Sequence, residues 1–147
     1  MSEKQYDPRM HSAEHILNQT MVRLFGCGRS FNSHIERKKS KCDYRINFPL
    51  SEEDIKKIEN KVNEVINQNL NVTIDFVSKR EAAAFLDLTK LPVDAPDKIR
   101  VVRIGDYDAC ACIGPHVRNT SEIGEFKIIS VDYLENANRI RFKIVED

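Results

Sequence analysis

The sequence predicts an α+β fold in which a mostly antiparallel sheet packs against amphipathic helices. Two segments repeat apolar residues with the period of an α-helix, and several short segments alternate apolar and polar residues as strands do. The last two alternating segments are separated by a short polar stretch, which is typical of a hairpin. Helices mixed with hairpins in this order are typical of α+β proteins.

The first predicted element is a helix that starts at Pro8. Asp7 is a good N-cap residue, proline suits the first helical position, and Gly26 and Gly28 end the helix. Its apolar stripe follows the helical spacing Ala13, Ile16, Leu17, Thr20, Met21 and Leu24.

The remaining elements are predicted from the same periodicities and from turn residues. Two capping boxes, Ser51 with Asp54 and Ser78 with Glu81, mark helix starts. In the first half of the chain, we expect a strand edge and turn over residues 29–41, a strand over Asp43–Phe48, a helix from Ser51 to about Leu70 and a strand over Val72–Phe76. Tyr44, Ile46 and Phe48 are expected on one face of the first of these strands. In the second half, we expect a short helix to Ala84, a loop over residues 88–98, strands over Ile99–Ile104 and Asp108–Cys112, and a hairpin of Phe126–Leu134 with Ile140–Val145 across residues 135–138.

Length and composition narrow the classes of protein. The 147 residues, 41% of them apolar, suit one core, so we expect a single domain over residues 1–147 with residues 1–6 loosely held. The 23 basic and 23 acidic residues cancel, which argues against a globally basic nucleic-acid-binding protein but allows a local basic patch. No apolar run is long enough for a membrane span or a secretory signal. We therefore expect a cytoplasmic protein without membrane association, whose four cysteines form no disulfide framework.

Two motifs carry the candidate chemistry. His11 and His15 lie one helical turn apart, so both imidazoles can reach one metal ion, although they centre opposite the apolar stripe and two exposed surface histidines are an equally simple interpretation. Cys112 and His116 flank a Gly-Pro turn, where the alternative is a buried structural cysteine and a loop histidine. Together the motifs supply three nitrogens and one sulfur, a plausible zinc set if the fold brings them together.

A competing motif overlaps the first. Residues 11–15, HSAEH, also fit the inverted zinc-peptidase pattern, in which Glu14 is the general base. That pattern needs a third, acidic ligand, and nothing in the sequence singles out one of Glu52, Glu53 and Glu59.

The blocks RMHSAEHIL (residues 9–17) and CIGPHVRNTSEIG (residues 112–124), with the segments between them, resemble the editing domain shared by threonyl- and alanyl-tRNA synthetases. This second additional domain also occurs in free-standing alanyl-tRNA editing proteins, and the resemblance runs from about Pro8 to Val145. Cys-x-Gly-Pro-His resembles the threonyl branch, whereas residues 120–124 and 100–103 resemble the alanyl branch.

The resemblance implies hydrolysis of the ester that joins a wrong amino acid to the acceptor end of tRNA. His11, His15, Cys112 and His116 match the family's four-residue site, which binds zinc in the alanyl branch and positions water. The synthetase catalytic and anticodon-binding domains are absent from the sequence, so we expect a free-standing trans-editing hydrolase. The first expected substrate is seryl-tRNA for alanine and the second is seryl-tRNA for threonine. An inactive tRNA- or partner-binding module that keeps the fold is the alternative.

Other positions match the family less closely. Cys110 stands where the family often has an acidic residue, and we expect a buried small side chain there rather than an alternative ligand. Ser33 and His34 fall where the family places polar residues of the amino-acid pocket, although a strand-edge hydroxyl and a surface histidine fit equally well. The basic run Lys38, Lys39 and Lys41 is either a solvated loop or a contact to acceptor-stem phosphates. Arg139, Arg141 and Lys143 are expected on the wet face of the last strand.

Overall fold

The computed structural model describes residues 7–84, 86 and 97–145. Its helices and strands, in chain order, are α1 (Pro8–Phe25), β1 (Asn32–His34), β2 (Ser40–Tyr44), α2 (Glu52–Ile66), β3 (Val72–Ser78), α3 (Lys79–Ala83), β4 (Lys98–Ile104), β5 (Asp108–Ala111), a 3-10 turn (Thr120–Glu122), β6 (Glu125–Leu134) and β7 (Ala137–Val145). This order confirms the predicted α+β fold.

The strands form two antiparallel sheets rather than one. One sheet has the order β1-β2-β7-β6 and the other has the order β3-β4-β5. In the four-stranded sheet, Cys42 pairs with Ile140 and both are fully buried, whereas Asp43 pairs with Arg139. Because neighbouring residues of a strand face opposite sides, the arginines of β7 lie on the outer face, as the sequence predicted. There Arg139 donates to the Asp43 carboxylate at 2.8 Å.

The core lies between the inner face of this sheet and the helices α1 and α2. The phenyl rings of Phe126 and Phe142 meet there with centroids 5.2 Å apart, and neither side chain is exposed. Burying each of these side chains stabilises the fold by about 1.5–3 kcal/mol. The core therefore fixes α1, the helix that carries both motif histidines.

The N-terminus of α1 is held as predicted. The Asp7 carboxylate accepts from the backbone N–H groups of Arg9 and Met10 at 3.0 and 3.2 Å, and Pro8 is the first helical residue. Gly26 ends the helix with φ of +67°, a conformation that glycine adopts without strain. The two predicted capping boxes at Ser51 and Ser78 are also present.

The strand predicted over Asp43–Phe48 is wrong, because β2 begins at Ser40 and ends at Tyr44. After Tyr44 the chain turns, with the Ile46 N–H donating to the Tyr44 carbonyl at 2.9 Å. The Asn138 amide then donates to the carbonyls of Ile46 and Phe48. The Phe48 side chain is 47% exposed, so the expected apolar face stops at Ile46.

Two further boundaries differ from the prediction. Helix α2 ends at Ile66 rather than near Leu70, and Asn69 has a left-handed φ of +55°. The hairpin between β6 and β7 turns on Glu135 and Asn136 alone, both with positive φ, rather than on four residues. Positive φ at both central residues is the geometry of the type I′ turn, one of the two common two-residue hairpin turns.

Some predictions fall beyond the part of the chain that the structure describes. Residues 1–6 lie outside it, as does the predicted loop over residues 88–98 up to residue 96, while Lys98 already belongs to β4. Within the described ranges, no helix combines the length and the apolar character that crossing a membrane requires. All four cysteines are free thiols.

Candidate metal centre

The four predicted ligands come together at one point. His11 and His15 extend from α1, and Cys112 and His116 from the segment that follows β5. Their ligand atoms all lie within 4.8 Å of one another. Contacts between α1 and β5 place the two motifs against each other, although about 100 residues separate them in the sequence. We refer to these four side chains as the His-Cys cluster.

Hydrogen bonds orient His11 within the cluster. Its Nδ1 lies 3.0 Å from the Pro115 carbonyl oxygen, which can only accept, so Nδ1 carries the proton. The other ring nitrogen, Nε2, is then unprotonated and lies 3.4 Å from the Cys112 Sγ. His11 therefore presents the lone pair that a metal ligand needs.

His116 is oriented by Ser12, a residue that the sequence did not single out although it lies within the first motif. The Ser12 hydroxyl lies 2.9 Å from His116 Nδ1 and accepts from the Val117 N–H at 3.1 Å. His116 Nε2 then lies 3.6 Å from the Cys112 Sγ. The fully buried Ser12 thus joins α1 to the second motif.

His15 is buried beneath the other two imidazoles. Its ring centroid lies 4.9 Å from that of His11 and 4.4 Å from that of His116. Its Nδ1 is buried without a hydrogen-bond partner among the described residues, and the Asp108 Oδ2 lies 3.7 Å away. His11 and His15 are at most 5% exposed, so the interpretation of these two as a surface pair is wrong. Residues that follow β4 cover the face of α1 opposite its apolar stripe, which the sequence alone left exposed to solvent.

The turn that carries Cys112 is held by Arg100. Its guanidinium donates to the carbonyls of Cys112 and Gly114 at 2.7 and 3.0 Å. The Gly114 N–H points at the Cys112 Sγ from 3.4 Å. The sulfur is therefore positioned by the backbone of its own turn and by a cation on the neighbouring strand.

The His-Cys cluster fits a zinc ion by its donor set and by two of its sulfur–nitrogen distances. Tetrahedral zinc with its usual bonds to nitrogen and sulfur separates these two atoms by about 3.6 Å. The Cys112 Sγ lies 3.4 and 3.6 Å from the two nearest imidazole nitrogens. Burial lowers the pKa of His116 to about 3, and it also lowers the pKa values of His11 and His15, so all three rings are neutral, the form that binds metals. Burial raises the pKa of Cys112, whose proton a metal would displace.

The cluster contains no carboxylate, which the zinc-peptidase pattern requires as its third ligand. Glu14 Oε1 lies 3.8 Å from His11 Nε2 but is not one of the four clustered ligands. Glu59, one of the acids proposed from the sequence, accepts from the Ile128 N–H at 2.7 Å and so joins α2 to β6. The described residues therefore give the peptidase pattern no support.

Asp108 is a site residue that sequence reasoning missed. Its side chain has no exposed surface and accepts from Arg29 at 2.7 and 3.2 Å and from Gln19 at 2.9 Å. Asp108, Cys110 and Cys112 alternate along one extended segment, so they share a face. That alternation, with an acid two residues before Cys110, was the signal that could have identified it.

A cavity of about 760 Å³ borders the cluster at His15 and Cys112. Cys110 and Arg29 also line it, and so does Ser30. Cys110 is partly buried, which raises the pKa of its thiol to about 11, and its sulfur is not one of the four clustered ligand atoms. A cavity of this size suits a small-molecule or nucleoside ligand.

Ser33 and His34, the two residues suggested for an amino-acid pocket, lie in different places. Ser33 lines the cavity, and its hydroxyl lies 2.5 Å from that of Ser30. The side chain of His34 is exposed and its Nε2 pairs with Glu36 at 2.8 Å, away from the cavity. Only the serine is therefore available to a molecule bound beside the cluster.

Comparisons with known proteins relate the chain to aminoacyl-tRNA synthetases. Residues 99–141 match the family described as the threonyl and alanyl tRNA synthetase second additional domain. The chain is also 36% identical over 132 residues to an alanine–tRNA ligase of Aeropyrum pernix, a match that covers 87% of the chain and 15% of the ligase. The corresponding ligase of Thermoanaerobacter sp. is 38% identical over 83% of the chain and 14% of the ligase, and that of Hyperthermus butylicus is 34% identical over 93% and 15%.

The chain therefore belongs with the aminoacyl-tRNA editing-related modules. It is an editing-domain-like protein, related to the second additional domain of threonyl- and alanyl-tRNA synthetases, which confirms the resemblance carried by the two motifs. It spans about 15% of the length of the curated relatives named here.

Proposed function

We propose that this chain hydrolyses mischarged aminoacyl-tRNA, with seryl-tRNA for alanine as its main substrate and zinc as its cofactor. The observation that carries the proposal is a half-buried His-Cys cluster that opens onto a cavity lined by serine hydroxyls. The relatives named above are all alanine–tRNA ligases, which favours the alanine tRNA. The reaction is proposed to take place in the cytoplasm on tRNA charged by a separate synthetase.

The reaction adds water across an ester. The water oxygen attacks the carbonyl carbon of the amino acid, the bond from that carbon to the ribose oxygen breaks, and free serine and a tRNA with a free terminal hydroxyl leave. An aminoacyl ester is already reactive, so positioning a water molecule and stabilising charge supply most of the required acceleration. When bound by His11, His15, Cys112 and His116, zinc would hold these four side chains in place, and it would supply Lewis acidity by accepting the substrate as a further ligand.

The residues around the cavity orient the substrate and the water. Four protein ligands fill the usual zinc tetrahedron, so we assign the holding of water to groups outside the cluster. Glu14 borders the cavity and is one such group. A ribose hydroxyl at the tRNA end is another. Arg29 keeps its guanidinium at the cavity wall through its pair with Asp108.

Selection of serine over alanine needs a partner for one hydroxyl group. The paired hydroxyls of Ser30 and Ser33 lie in the cavity wall, and Ser30 is further fixed by its N–H, which donates to Asn18 at 3.2 Å. A serine hydroxyl has two acceptor lone pairs, so this pair can also accept a hydrogen bond from the hydroxyl of a bound seryl group, which an alanyl group does not have. Serine is thus favoured over the alanine that belongs on the tRNA.

Deacylation assays with the 147-residue chain test the proposal. Seryl-tRNA for alanine, seryl-tRNA for threonine and correctly charged alanyl-tRNA are compared, with zinc measured on the same sample. Faster release from the first, with one zinc per chain, supports the proposal. Faster release from the second assigns the substrate to the threonyl branch, whose Gly-Pro turn is present at Gly114 and Pro115. Equal rates for seryl- and alanyl-tRNA, or no hydrolysis by the zinc-loaded protein, contradict an editing activity.

A further inference from the structure

A second cavity, of about 800 Å³, shares His116 with the His-Cys cluster. Three arginines line it, each from a different part of the chain: Arg9 from the start of α1, Arg37 from the turn between β1 and β2, and Arg118 from just after the second motif. We refer to this cavity as the arginine pocket. The chain as a whole has no net charge, yet three of its arginines line this one cavity.

The pocket also contains two carboxylates, Asp7 and Glu122. Both are engaged with backbone N–H groups, Asp7 with the first turn of α1 and Glu122 Oε2 with the Asn119 N–H at 3.0 Å. Among the described residues that line the pocket, three positive and two negative side chains give a formal charge of +1. Arg37 and Arg118 are exposed, and Lys38 and Lys39 follow Arg37 in the same turn, so positive charge continues beyond the pocket.

On the basis of the function proposed above, we propose that the arginine pocket binds a backbone phosphate of the RNA substrate, close to the end that carries the amino acid. Guanidinium groups bind phosphate through paired N–H donors, and clustered arginines are typical of phosphate recognition. Such a contact fixes the position of the RNA without reading its sequence.

The placement of the two cavities on the cluster supports this assignment. The cavity lined by serine hydroxyls meets the cluster at His15 and Cys112, whereas the arginine pocket meets it at His116. The scissile ester likewise joins two unlike parts, an amino acid on one side and a nucleotide with its phosphate on the other. An ester held at the cluster therefore directs its amino acid to one cavity and its phosphate to the other.

Binding of an uncharged acceptor-stem RNA hairpin, followed by fluorescence anisotropy, tests the pocket without requiring catalysis. Arg118→Ala and Arg37→Ala are each expected to weaken binding about tenfold at low salt. Each is also expected to reduce the slope of log Kd against log salt by up to about 0.7, the contribution of one phosphate contact on a single strand. Arg118→Lys keeps the charge and recovers most of the affinity. Lys57→Ala, which removes an exposed cation on α2 outside the pocket, is the matched control. Unchanged affinity and slope in both arginine variants would overturn the phosphate site.

Kinetics separate this site from the proposed function. Seryl-adenosine carries the ester but no phosphate, so Arg118→Ala is expected to lower kcat/KM at least about fivefold more for seryl-tRNA than for seryl-adenosine, with the difference in KM. Equal losses on both substrates place the arginine in the ester site and overturn the phosphate assignment while leaving the hydrolase standing. If the wild-type chain hydrolyses neither substrate, the proposed function fails, and the anisotropy measurements still decide whether the pocket binds RNA phosphate.

Discussion

Replacing Asp108 with alanine measures how firmly the wall of the candidate site is held. The substitution removes a carboxylate with no exposed surface, together with its bonds from Arg29 and Gln19. The guanidinium of Arg29 then loses its counter-ion at the edge of the cavity. We expect Asp108→Ala to fold but with a lower free energy of unfolding.

The size of the effect follows from the exposure of the two partners. Removing one member of a buried ion pair costs about 3–5 kcal/mol, because the other charge stays buried without compensation. The Arg29 side chain is 27% exposed and borders a cavity that water can enter, so we take the lower end of that range. A loss of about 3 kcal/mol corresponds to a fall in Tm of about 6–12 °C for a protein of this size.

Urea unfolding of wild type and variant gives the difference in free energy. Asp132→Ala is the matched control, because Asp132 pairs with Arg141 on the outer face and its side chain is 51% exposed. We expect less than about 1 kcal/mol from the control. The double variant Arg29→Met with Asp108→Leu removes both charges, so its free energy of unfolding should fall less than that of Asp108→Ala alone. If Asp108→Ala lowers the free energy of unfolding no more than Asp132→Ala does, the Arg29–Asp108 pair lacks the energetic cost of a broken buried pair, and the reasoning is refuted.

Three further predictions concern the cluster, the cavity and the core. Cys112→Ala should reduce zinc to well below one ion per chain by mass spectrometry, while Cys110→Ala retains it; equal metal content in the two variants would contradict the four-ligand cluster. Ser33→Ala should raise KM for seryl-tRNA and His34→Ala should not, because only the serine lines the cavity; the reverse order in the deacylation assay argues against a serine pocket there. Burial raises the pKa of Cys42 from 9.0 to about 12, so this thiol's contribution to stability is complete below pH 9 and is lost as the pH rises towards 12. The urea midpoint should therefore fall less steeply above pH 9 in Cys42→Ala than in wild type, and parallel profiles would show that the thiol is not the cause.

Local sequence signals predicted the elements whose cause is local. The N-cap at Asp7, the left-handed Gly26 and the two capping boxes each depend on residues within four positions, and all are present. The strand after Asp43 failed for the opposite reason. After the strand ends, the chain is held by the Asn138 amide, which lies 90 residues away from Phe48 in the sequence. Local alternation of apolar and polar residues cannot predict so distant a contact.

The candidate site divides in the same way. The i, i+4 spacing placed His11 and His15 on one side of α1, but a helical wheel assigns a single buried stripe and leaves the opposite face to solvent. Here the segment that follows β4 covers that opposite face, so the helix is buried on both sides near the cluster. Ser12 and Arg29 act through partners more than 75 residues away, and neither has a local pattern that identifies it.

The placement of Asp108 bears on how a reaction at this site would work. The resemblance leads one to expect an acid at position 110, where the chain has a thiol that borders the cavity and stays protonated because burial raises its pKa to about 11. The carboxylate of the same strand face is at Asp108, where it has no exposed surface and contacts Arg29 and Gln19 instead. A carboxylate so enclosed cannot reach a bound ester or its water. Its influence passes through the guanidinium that it holds at the cavity wall and through the His15 ring nitrogen 3.7 Å away. Strand β5 therefore contributes orientation rather than proton transfer, and among the described residues that line the cavity, Glu14 on α1 is the carboxylate that can accept a proton in the proposed hydrolysis.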